Sequence, residues 1–206
     1  MDEKVKQINE DIKETFKEVA FKTFKPEDSK VYDTLEVPEH YTVVYYIPDE
    51  IKTKFIKIAN KIQEIDNSII MNPPEKYHIT LFNCPIATDV EKIKEILKDT
   101  FNKHSFKISL TNLITGALGV SIAGFPESYD FVELRKKLYK SSNQEFPQDY
   151  KSAACWILLG RFSKPPKMEV IQFVRDNFEQ NLGSLEINSV LVLKNHHKIL
   201  EGAQEV

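Results

Sequence analysis

Glycine is scarce in this 206-residue chain, six in all, and no Gly-rich phosphate loop or Walker-type lysine can be assembled around them. Cysteine is scarcer. Cys84 and Cys155 are too few for a disulfide framework and lack zinc spacing, which predicts two reduced, partly buried thiols. No apolar run approaches the roughly 20 residues of a membrane helix. Met1 to Asp11 is charged rather than apolar, so no secretory signal is expected there; the expectation is a cytoplasmic protein with no membrane partner. A net charge of −3 excludes a strongly basic nucleic-acid coat, although a local basic groove survives that average. What the chain does have is 41% hydrophobic and 11% aromatic residues, enough for a sizeable core in one domain or one two-lobed domain.

Val5, Ile8, Ile12, Phe16 and Val19 recur at steps of three and four, which predicts an amphipathic helix in an N-terminal extension spanning residues 1–30. Its stripe either docks on the chain's own core or recruits a protein partner. Pro26 ends it. Over residues 31–206, strand and helix patterns alternate. Tyr41 to Ile47 reads as a strand, Asp49 to Ile65 as a helix, Ser68 to Met71 as a short apolar run and Tyr77 to Phe82 as a strand. Asp89 to Phe101 reads as a helix capped at Thr88 or Asp89, followed by strand-like Phe106 to Leu113 and Ala117 to Ala123. A helix through Phe131, Leu134 and Leu138, a strand at Ala153 to Phe162 and a helical face at Val170, Phe173, Val174 and Phe178 come next. Leu185 to Leu193 alternates like one strand, and Lys198 to Glu205 adds a last one. Helices packed against sheets, an α+β or α/β arrangement, follow.

The chemistry concentrates in Pro74 to Phe82, PEKYHITLF. Residues two apart on a strand share a face, so His78 and Thr80 point together while Ile79 and Leu81 point into packing. An imidazole exchanges protons near physiological pH, and a hydroxyl beside it donates to a phosphate oxygen. His-x-Thr alone is a weak signal; its place on a strand between a strand-helix unit and a helix gives it weight. His40 and His104 sit in polar loop contexts, and His196-His197 reads as a solvated hairpin turn rather than a metal site.

In motif and element order, Tyr41 to Glu201 resembles the 2H phosphoesterase superfamily, which includes the 2′-5′ RNA ligase-like proteins and the cyclic phosphodiesterases. The resemblance implies a bilobal α+β fold: two pseudo-symmetric antiparallel sheets, helices outside, a cleft between, and one His-x-Thr/Ser motif from each lobe. It implies acid or base chemistry for His78 and phosphate binding for Thr80. Separately, no cofactor or metal is expected. The second motif is due about 75 residues on, in WILLGRF. Registering on Leu159-Gly160-Arg161-Phe162 places Trp156 and Leu158 where the histidine and hydroxyl belong; shifting by one offers Cys155 and Ile157. The second motif is degenerate in either register.

One positioned acid or base contributes about 10²–10⁴-fold, so losing one leaves weak or no turnover. Binding survives better. Trp156 offers a face on which a base can stack, or else fills the vacated half-site. Arg161 is a candidate for gripping a substrate phosphate, although strict alternation turns it away from the face of Trp156 and Leu158. Lys151 and Ser152 are weaker candidates for the cleft wall. The expected function is binding of a nucleotide or RNA-end 2′- or 3′-phosphate between the lobes. The alternatives are an active 2′,3′-cyclic phosphodiesterase or RNA ligase-like enzyme using His78, and a non-catalytic interaction protein on the same fold.

Overall fold

Apolar residues two apart in the strands and three to four apart in the helices build the elements of the computed structural model, which describes residues 3–18, 24–30, 36–147, 153–197 and 200–206. In chain order these are α1 (Glu3–Glu18), β1 (Glu36–Tyr46), α2 (Asp49–Ile65), β2 (Ile69–Met71), β3 (His78–Pro85), α3 (Val90–Phe101), β4 (Phe106–Gly116) and β5 (Gly119–Pro126). There follow α4 (Asp130–Ser141), β6 (Cys155–Phe162), α5 (Met168–Asp176), β7 (Gly183–Ile187), β8 (Leu191–His197) and β9 (Gln204–Glu205). Local chemistry sets several ends. The Asp89 carboxylate accepts from the Lys92 amide and caps α3, while Pro74 opens a 3₁₀ turn at Pro74–Lys76 that feeds β3.

The strands form two antiparallel sheets, ordered β3-β1-β8-β9 and β2-β6-β5-β4-β7. Setting β2 aside, the two orders correspond strand for strand: β3 with β6, β1 with β5, β8 with β4, β9 with β7. This is the pseudo-symmetric pair of lobes expected. One core runs behind both sheets, joining Val43, Ile79 and Leu81 of the first and Ile122, Ile157 and Leu159 of the second to Phe55, Ile93, Leu134 and Val174 of the outer helices. Burial of so continuous an apolar layer is the main force holding the lobes together.

Two expectations change, and one left open is resolved. Leu185 to Leu193 is not one strand: it breaks at Asn188–Val190, leaving β7 in the second sheet and β8 in the first. Its alternation, apolar at Leu185, Ile187, Leu191 and Leu193 with only Ser189 out of pattern, concealed a crossover between lobes. His196 and His197 are the end of β8, not a hairpin turn. The stripe of α1 is spent on its own chain: Val5, Ile12 and Phe16 are buried, and the Asn9 amide donates to the Pro126 carbonyl at 2.8 Å. Of the two fates left open for that stripe, docking on the chain's own sheet is the one seen for Val5, Ile12 and Phe16. Val19, Lys151, Ser152 and Lys198 lie outside the described residues. Among the described residues, no helix is long and apolar enough to cross a membrane.

Candidate functional site

His78 and Thr80 share the open face of β3, as their spacing requires, and both are half-buried. The register with β1 then slips: Thr80 pairs Val44 but Phe82 pairs Val43, so Leu81 is an extra residue. Such a β-bulge resets the phase of the strand. Leu81 and Phe82 both turn to the core, and Asn83 returns to the face of His78 and Thr80.

The same device recurs in β6. Leu158 pairs Ser121 while Gly160 pairs Val120, so Leu159 is the extra residue. Trp156 and Leu158 therefore lie on the open face, Leu159 and Gly160 on the core face, and Arg161 is restored to the open face. Arg161 accordingly lines the cleft, against the expectation from strict alternation. Counting back from each bulge matches His78 with Trp156, Thr80 with Leu158 and Asn83 with Arg161. Cys155 and Ile157, the other register, are core residues at 2% and 0% exposure. Burial pushes the Cys155 thiol up to about 12, a structural rather than a reactive group.

Between the sheets lies a cleft of about 320 Å³. His78, Thr80 and Asn83 line it from β3, Leu158 and Arg161 from β6, and His40 and Thr42 from β1. Val37, Leu118, Asn195 and Leu200 complete the wall. Sequence reasoning missed His40, Thr42, Asn83 and Asn195. His40 lies within β1, which begins at Glu36, five residues before the apolar run that marks the strand in the sequence, and Asn83 is hidden by the bulge.

The ring of His78 is held in one orientation. Its Nδ1 lies 2.7 Å from the Lys76 carbonyl, which only accepts, so Nδ1 carries the proton and Nε2 keeps the lone pair. The Tyr46 ring stands edge-on to it at 6.1 Å. Burial lowers the His78 pKa below its ordinary 6.5, opposed by the Lys76 carbonyl and aided by the positive charges of Arg161 and Lys76. The arrangement is a neutral imidazole in a positive field, suited to an anionic oxygen.

That shift has a measurable consequence. Folding favours the neutral ring, so its stabilising contribution is complete above about pH 6.5, erodes as pH falls below that value, and is gone below the folded-state pKa. Urea unfolding between pH 7.5 and pH 5 is expected to show a decline that His78→Gln removes; an unchanged decline in the variant would assign it to other groups.

Trp156 sits apart from the residues lining the cleft. Its ring packs 5.9 Å from Phe16 of α1, in a cluster with Ile12, Ala123, Phe125 and Ala153. Among the described residues, no cluster of three or more His, Cys, Asp or Glu side chains could hold a metal.

No family model matches the sequence, and no curated protein matches it. Solved structures do resemble it. A conserved protein of unknown function from Agrobacterium tumefaciens has a TM-score of 0.55 at 11% identity, over 93% of this chain and 97% of that one. E. coli LigT solved with 3′-AMP has a TM-score of 0.52 at 13% identity, over 82% of this chain and 94% of LigT. A structure titled simply phosphoesterase matches with the same TM-score, identity and coverage. The likeness spans most of each chain and shows the fold: this chain has the α+β fold of the LigT-type structures, two antiparallel sheets with helices outside.

Proposed function

We propose that the interlobe cleft binds the terminal phosphate of a nucleotide or RNA end, with weak or no turnover. The observation carrying this reading is that His78 and Thr80 from one lobe and Arg161 from the other line the same cleft. Thr80 offers a hydroxyl donor, Arg161 a two-pronged cationic donor, and His78 a ring nitrogen that gains a proton when a phosphate dianion arrives. LigT, with the same fold, has been solved with 3′-AMP, ATP and phosphate, which supports the ligand class.

Hydrolysis of the ester needs a base for the attacking oxygen and an acid for the leaving one. His78 Nε2 fills one of these roles. The matching positions on β6, Trp156 and Leu158, carry no group that moves a proton at neutral pH. About 10²–10⁴-fold goes with the acid or base missing from β6, so binding outlasts catalysis; His40, the other histidine lining the cleft, is where turnover would find its second proton carrier.

Millimolar adenosine 3′-monophosphate is expected to shift the His78 ring resonances and raise its pKa, and Thr80→Val to weaken both effects. No perturbation at that concentration sinks the phosphate reading. Turnover of a 2′,3′-cyclic nucleotide that disappears in His78→Ala would establish the active-enzyme alternative instead.

A further inference from the structure

On the open face of β6 the cleft extends to Leu158, and the next residue on that face, Trp156, is met by α1. Phe16 lies 5.9 Å from the Trp156 ring and 6.2 Å from Phe125. The helix is anchored at both ends of this contact, by Asn9 on the Pro126 carbonyl at 2.8 Å and by Lys17 against Glu179 at 3.7 Å. The cluster it forms is separate from the main core, so the helix is an addition to the sheet face rather than part of the fold's central packing. A second bridge crosses the gap where the α4–β6 loop meets β3: the Gln144 amide donates to the Asn83 carbonyl at 3.1 Å. Half of a two-motif cleft is therefore built over, while the half holding His78, Thr80 and Arg161 stays open.

We infer that α1 is an intramolecular cap on the Trp156 half of the cleft, which makes the site selective for terminal phosphates over internal phosphodiesters. This rests on the phosphate reading of His78. An internal phosphodiester has chain on both sides of phosphorus and needs a groove that continues past the reacting half-site. A terminal phosphate, monoester or cyclic, needs room on one side only. With α1 seated on Trp156, the open half accepts the end of a nucleotide chain and the built-over half refuses its continuation. Phe16 is thus the specificity-determining residue, and Trp156 is the stacking platform that it withholds.

Trp156 is the chain's one tryptophan, so its fluorescence reports the cap directly. Calorimetry on the full chain would compare adenosine 3′-monophosphate with a hexa-adenylate bearing hydroxyls at both ends, for the parent and for Phe16→Ala. The parent is expected to favour the mononucleotide by about tenfold, the factor one withheld base-aromatic stack supplies. In Phe16→Ala, acrylamide quenching of Trp156 rises and hexa-adenylate affinity rises to meet that of the mononucleotide, whose own binding stays put. Where Phe16→Ala does not fold, Asn9→Ala loosens the same helix and carries the comparison. Equal affinities for the two ligands in the parent, or an exposed Trp156 with the preference intact, overturn the cap. If neither ligand binds the parent, the phosphate reading itself has failed, which the two-ligand design tells apart.

Discussion

Gly119→Ala is expected to lower the melting temperature by about 6–12 °C, from roughly 3 kcal/mol of overpacking in a domain of this size. A Cβ at Gly119 would lie 2.0 Å from the Gly160 carbonyl oxygen, 2.9 Å from its carbon and 3.0 Å from Arg161 Cα. All three are backbone atoms of the bulged strand β6, so no side-chain rotation relieves the clash. The strand has to shift, and the bulge that returns Arg161 to the cleft shifts with it. The variant should therefore lose Arg161-dependent ligand affinity as well as stability. Gly116 in the same hairpin supplies the control, because nothing lies within 4 Å of a Cβ placed there. Gly116→Ala should stay within about 0.5 kcal/mol of the parent. Equal melting temperatures for the two variants would remove the close approach of β5 and β6 from the account.

Arg161→Ala is expected to weaken adenosine 3′-monophosphate binding by about ten- to hundredfold, the range for a hydrogen bond to a charged group. Arg161→Lys should recover only part of this, since an ammonium keeps the charge but not the planar fork. A readout free of ligand accompanies it. Arg161 is one of the charges holding the His78 pKa down, so its removal should raise that pKa in an NMR titration of the ligand-free protein. A folded Arg161→Ala variant with unchanged affinity would show that the phosphate binds elsewhere.

The strands and helices were legible where one period persists. Asp49 to Ile65 and Asp89 to Phe101 carry helical apolar spacing with clear ends, and α2 and α3 match them within a residue. The His78–Thr80 face was legible for the same reason, because alternation holds until Leu81. Beyond Leu81 and Leu158 the period breaks, and with it the phase of Asn83 and Arg161; Gly160 was the local hint, since glycine within a strand often marks a bulge. Leu185 to Leu193 failed differently: apolar alternation describes each half but says nothing of which sheet a half joins. The seat of α1 on Trp156 depends on contacts between residues over a hundred apart, for which a stripe of apolar residues specifies a face and no address.

β2 lies between α2 and β3 in sequence, yet it pairs with β6 on the far sheet, through Ile69 with Phe162 and Met71 with Gly160. Just beyond it, Asn72 donates its backbone amide to the Leu159 carbonyl at 2.8 Å and its side-chain amide to the Leu158 carbonyl at 2.8 Å. Each lobe thus borrows strand from the other's stretch of chain, and neither sheet can be finished without both. Such stitching works against a hinge: strands shared across the back resist the two sheets swinging apart, which favours a gap around His78 whose width is set as the chain folds.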